Sequence, residues 1–168
     1  MIKKYLQWRK NMFDILRFKE LVNSLNDLLL QTPENLTDTK LSEDSWTLKE
    51  IIGHLIDSAS NNHQRFVRLQ FGDLLDFPGY NGEEWIRCQR YSDMEWKDII
   101  TLWYSYNCIL LEVIKNINPD SLQNVWIHDE NAYSLEYLVS DYYKHMELHI
   151  EHFNRRVKEV NSKTFNCI

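Results

Sequence analysis

The segment DYYKHMELHIEHF, residues 141–153, places His145, His149 and His152 at spacings of four and three. On a helix those spacings stack side chains along one face. An HxxxH pair is the arrangement by which two imidazoles one helical turn apart can bind one metal ion. The zinc-protease version of the motif needs Glu directly after the first histidine; Met146 stands there, so that chemistry is excluded. A catalytic metal commonly takes three protein ligands and keeps one position open. The third must come from His152 or from elsewhere, and His54, in WTLKEIIGHLIDSASNNHQRF, is the best outside candidate. A hydrogen-bonded place in the interior is the alternative for all of these histidines.

Those residues need long helices to position them, and the composition favours such helices. Only 4 glycines and 3 prolines occur in 168 residues, few for a chain that must turn often. Hydrophobic content of 43% supports one core, so the whole chain, residues 1–168, reads as a single domain. Four helical segments are expected at about 11–31, 47–71, 92–117 and 134–160, giving an all-α four-helix bundle. The first shows Phe13, Leu16, Leu21, Leu25 and Leu28 at threes and fours from about Asn11. The second opens on a capping box of Thr47 and Glu50, and the third on a similar SDME pattern with Ser92 and Glu95. Two long connections are expected to be irregular: GDLLDFPGYNGEEW, with three of the glycines, and PDSLQNVWIHDENAY.

On the fourth helix, Leu135, Leu138, Val139, Tyr142, Met146, Ile150, Phe153 and Val157 form the apolar face. His149 projects within it, His145 lies at its edge, and His152 falls further toward the polar side. On the second helix His54 flanks Ile51, Ile52, Leu55 and Ala59, and Ser58, Asn61 and Arg65 continue its flank as a polar stripe. Such a stripe is either the lining of a cavity or a solvated helix edge. His63 is expected to be packed or to cap, and His128 to be exposed with the option of closing over the site. Asp57, three residues after His54, could orient it or pair with a cation. Glu147 reads as solvated, and Trp96, Trp103, Tyr104 and Tyr106 as core.

The net charge of −6 argues against a nucleic-acid partner, since that affinity rests on basic side chains neutralising phosphates. No apolar run is long enough to span a bilayer. Cys88, Cys108 and Cys167 are isolated and odd in number, so neither a disulfide framework nor a thiolate zinc site is indicated, and the cytoplasm is the expected compartment. No nucleotide-binding or serine-nucleophile motif is present.

The segments WTLKEIIGHLIDSASNNHQRFVR, FPGYNGEEW, LWYSYN and DYYKHMELHIEH, in that order, resemble the DinB/YfiT-like superfamily of bacterial metal-dependent proteins. The resemblance covers most of the chain, from the second helix to the middle of the fourth. It implies an up-down-down-up four-helix bundle and, for YfiT-like members, candidate metal-dependent hydrolase activity. It also implies one divalent ion, zinc or nickel first with manganese or iron as alternatives. One histidine of an HLxD segment and an HxxxH pair hold that ion, which fall here on His54, His145 and His149 and leave His152 outside. Some relatives are S-transferases using bacillithiol or isomerases using mycothiol, in which the metal acidifies the thiol; the hydrolase reading activates water at the same centre. No strong acid or base stands beside the three histidines in the pattern, and Asp57, Asn62 and Tyr80 are candidates for proton transfer by neighbourhood. The expectation is therefore a metal-dependent S-transferase or hydrolase acting on a small electrophilic small-molecule substrate. The alternative is a non-catalytic metal- or ligand-binding bundle, with a possible homodimer in which the histidines are merely packed.

Overall fold

A computed structural model describes residues 13–165 and shows an all-α bundle with a small hairpin. The long helices are α1 (Ile15–Gln31), α2 (Leu48–Arg68), α4 (Trp96–Lys115) and α5 (Leu135–Phe165), and a short α3 (Gly82–Gln89) precedes α4. The helix start expected near Asn11, and Cys167, lie outside the described residues. Around the bundle, α4 packs on both α1 and α2, α2 packs on α5, and α5 closes toward α1. Helices consecutive among the long four, α1 and α2 or α4 and α5, thus stand on opposite corners of the bundle. That arrangement needs long connections, and the chain supplies them between α1 and α2 and between α4 and α5.

Local chemistry explains the boundaries. The Thr47 side chain accepts from the Glu50 amide at 3.1 Å and the Glu50 carboxylate accepts from the Thr47 amide at 2.8 Å, so α2 begins where the sequence places it. It ends at Arg68, short of Phe71, which is exposed. The SDME expectation fails: α4 begins at Trp96 with no side-chain cap. Ser92 sits in a 3-10 turn, Tyr91–Asp93, where its hydroxyl faces the Glu50 carboxylate at 3.4 Å. On α1 the buried face is Phe18, Val22, Leu25 and Leu29, which leaves Leu16 in solvent.

Both connections expected to be irregular carry regular structure. GEEW opens α3, capped by the Asn81 side chain. WIHDENAY folds into an antiparallel hairpin, β1 (Val125–His128) and β2 (Asn131–Ser134), with Leu74 bridged in parallel to Trp126. Asp129 and Glu130 turn the hairpin at φ of 48° and 64°, the doubly left-handed conformation of a tight two-residue turn.

The core is continuous from Phe18 and Leu25 through Ile51, Ile52 and Leu55 to Trp103, Val139 and Phe153. Trp96 stacks on Phe153, and the buried Tyr142 hydroxyl donates to Asn107 at 2.7 Å, tying α5 to α4 across the bundle. Gly53 is required where it stands: a Cβ there would fall 2.1 Å from the Tyr91 ring. That contact lets Tyr91 lean over α2 and reach the buried Asp57. No helix among the described residues is long and apolar enough to cross a membrane.

Candidate metal centre

His54 stands on α2 beyond the capping box, and His145 and His149 stand one turn apart on α5. Packing of α2 on α5 brings the three together although 91 residues separate His54 from His145. One nitrogen of each ring lies within 4.8 Å of the others. The Nε2 atoms of His54 and His145 face each other at 3.2 Å. His152 lies beside His149, ring centroids 6.0 Å apart, but outside the group.

The surroundings keep these rings neutral. Burial, then the neighbouring imidazoles of His145 and His152, lowers His54 to about 4. Burial, then His145, His54 and His152, lowers His149 to about 3. His145 is lowered by burial, with Asp141 opposing, and His152 by burial and the nearby Arg156 and Arg155. Neutral imidazoles offer lone pairs, the form in which histidine binds metal.

A divalent ion fits this donor set. With metal–nitrogen bonds of about 2.0–2.1 Å, two tetrahedral ligand nitrogens stand about 3.3 Å apart, close to the observed His54–His145 separation. Nδ1 of His54 and Nδ1 of His149 are buried without a hydrogen-bond partner, and in His54 this is the nitrogen that faces Gly82 rather than His145. The Ser58 hydroxyl approaches Nδ1 of His145 at 3.4 Å, so Nδ1–H can donate to it and leave Nε2 as the free lone pair.

Trp46 covers one side, its ring 5.1 Å from that of His54 and stacked 6.5 Å from that of His149. The Arg156 guanidinium donates to the Trp46 carbonyl and anchors that cover to α5. On another side the Gly82 backbone lies so close that a Cβ would come 2.9 Å from the His54 ring. On the third side opens a cavity of about 340 Å³, walled by Ser58, Asn62 and Arg65 of α2, Tyr80 of the loop between α2 and α3, Trp126 and His128 of the hairpin, and Asp141 and His145 of α5, among others.

The polar stripe of α2 is therefore a cavity wall, with one exchange: Asn61 turns to the Asp57 carbonyl at 2.9 Å, and Asn62 faces the cavity instead. Tyr80 lines the cavity with its ring 6.4 Å from that of His54, and burial raises its phenol above the usual range. Asp57 does not orient His54. Its carboxylate accepts from the Tyr91 hydroxyl at 2.6 Å and from Gln89 at 3.3 Å, and burial pushes it up. His63 packs edge-on against Tyr106. His128 is half-exposed rather than free in a loop, stacks on Trp126 and closes over the cavity. Glu147 is ion-paired to Arg17 at 2.6 Å on the surface. Cys88 and Cys108 are free thiols.

Sequence reasoning missed Trp46 and the hairpin wall. Trp46 immediately precedes the cap residue, where an apolar side chain often packs back on its helix, and that was the available signal. The hairpin lacks the usual Asn-Gly or Asp-Gly turn, so its signal was weak.

No protein-family model matches the sequence. A protein of Oceanobacillus iheyensis named as a candidate metal-dependent hydrolase is 26% identical over 137 residues, covering 81% of this chain and 75% of that protein. Among solved structures, YfiT from Bacillus subtilis, described as a probable metal-dependent hydrolase with an unusual four-helix bundle topology, aligns with a TM-score of 0.77 at 17% identity. The alignment covers 88% of this chain and 85% of YfiT. The chain has the four-helix-bundle fold of YfiT.

Proposed function

We propose that this YfiT-like bundle is a metal-dependent enzyme in which His54, His145 and His149 hold one divalent ion, zinc or nickel first, at the end of a small-molecule cavity. The reading is carried by one observation: three imidazoles, His54 buried and His145 and His149 half-buried, each with a nitrogen within 4.8 Å of the others. The reaction proposed is hydrolysis of a small electrophilic substrate, in keeping with how both similar proteins are described. S-transfer with a small thiol such as bacillithiol would use the same centre.

When bound, the ion supplies Lewis acidity that lowers the pKa of a water or thiol to near neutral. Three neutral imidazoles leave its positive charge undiminished. Ser58 fixes the tautomer of His145, and Trp46 excludes water from the ligand side. The Tyr80 phenol, held protonated by burial, can donate a hydrogen bond or a proton to charge developing on a substrate in the cavity. Asp57 acts at a distance, fixing Tyr91 and Gln89 against α2 rather than touching the reacting atoms.

Elemental analysis of the purified protein tests the centre. Stoichiometric metal in the wild type and its loss in His54→Ala, His145→Ala and His149→Ala are expected. Equal metal content in all three variants and the wild type would refute the assignment. Metal-loaded protein inert toward ester, amide and thiol-plus-electrophile panels would instead leave a bundle that binds metal without turnover.

A further inference from the structure

We infer that the cavity beside the three histidines takes substrates bearing an anionic group, a carboxylate or phosphate, and that the guanidinium of Arg65 receives it. Arg65 is only 6% exposed and lines the cavity. Among the described residues no carboxylate lies within ion-pairing distance of it, whereas Lys49, equally buried, is paired with Asp38 at 2.9 Å. Its Nη1 donates to the Asn62 amide oxygen at 3.3 Å, and its Nε is buried without a partner. The Trp126 ring lies 3.9 Å from the guanidinium carbon. A ring face and an amide oxygen stabilise a cation without neutralising it, and a buried charge lacking a counter-ion is costly. Guanidinium does not escape that cost by losing its proton. An anion entering the cavity would supply the missing charge and bond to the planar fork, the geometry that suits carboxylate and phosphate.

Position limits the ligand. Ser58 touches His145, and Asn62, which touches Arg65, is one helical turn further along α2. The residue that touches the guanidinium thus lies about 6 Å along the helix from the residue that touches His145, a span of a few bonds. Asp141 stands at the His145 end and opposes a second negative charge there, which orients an anionic ligand with its charge toward Arg65. Assigning this anion to the substrate rests on the metal-centre reading; the anion site itself does not.

Calorimetric titration at low ionic strength with inorganic phosphate, glutarate and the neutral glutaramide provides the test. Zinc-treated wild type, Arg65→Met, Arg65→Lys and His145→Ala proteins are compared. Saturable binding of phosphate or glutarate is expected in the wild type, at least about tenfold weaker in Arg65→Met and intermediate in Arg65→Lys, with no effect on glutaramide. His145→Ala should lose zinc and keep the Arg65-dependent anion binding, so failure of the metal reading and failure of the anion site are read separately. Anion binding unchanged in Arg65→Met, or no binding of either anion by the wild type, overturns the inference and leaves Arg65 as packing for Trp126. Should Arg65→Met not fold, unchanged affinities in Arg65→Lys overturn it equally.

Discussion

Replacing Gly82 by alanine should loosen the proposed metal centre without loosening the fold. Gly82 is the first residue of α3, and an alanine Cβ would lie 2.9 Å from Cε1 and 3.0 Å from Nδ1 of His54. Carbon contacts relax only at about 3.5–4.0 Å, so roughly 0.6 Å must be found somewhere. The helix start resists, because the Asn81 side chain accepts from the amides of Glu83 and Glu84 at 3.0 and 3.1 Å. The imidazole therefore moves, and with it the 3.2 Å spacing between His54 and His145. Metal bonds tolerate about 0.2 Å of displacement, so affinity should fall about 10- to 100-fold, or about 1.4–2.8 kcal/mol. Stability of the metal-free protein should change by under about 1 kcal/mol. The gain of up to about 1 kcal/mol from reduced freedom of the unfolded chain offsets off-rotamer strain of about 0.5–1.5 kcal/mol at His54. Competition against a chromogenic chelator measures the first quantity and urea unfolding in chelator the second. An affinity within about threefold of wild type would refute the argument that His54 is held in ligating position by the α3 backbone.

The Tyr91→Phe variant removes the 2.6 Å hydrogen bond to the buried Asp57 carboxylate and should cost about 1.5–3 kcal/mol in urea unfolding, with metal content preserved; a loss below about 0.5 kcal/mol would show that Gln89 alone suffices. In metal-free protein, His54 is held at about 4 against an ordinary 6.5, so the unfolded chain binds more protons between those values. The stability tied to that shift, about 3 kcal/mol for this residue, is complete above about pH 6.5 and lost as pH falls toward about 4. Urea midpoints measured in chelator across that range should decline less steeply in His54→Gln; identical slopes would refute the attribution.

The long helices were legible because their causes are local. The Thr47–Glu50 box, the apolar stripe of α5 and the His145–His149 spacing are all written within a turn or two of chain. Where the cue was only a pattern, it misled: SDME resembles a cap, yet Ser92 was drawn into a 3-10 turn and α4 started later without it. The hairpin was missed because Asp129 and Glu130 adopt left-handed backbone without the glycine that announces it.

For the site, the residue types and the inward direction of His145 and His149 were set by helical periodicity, and His54 was named from its helix flank and from family resemblance. The sequence by itself determined, then, which side chains share a face. It could not determine which faces meet. The 3.2 Å approach of His54 to His145, the turn of Asp57 toward Tyr91, the Trp46 cover and the unpaired Arg65 over Trp126 all arise from the packing of α2 against α5 and of the hairpin over both. Those contacts join residues tens of positions apart, where no local spacing rule operates, and only the tertiary structure decided them.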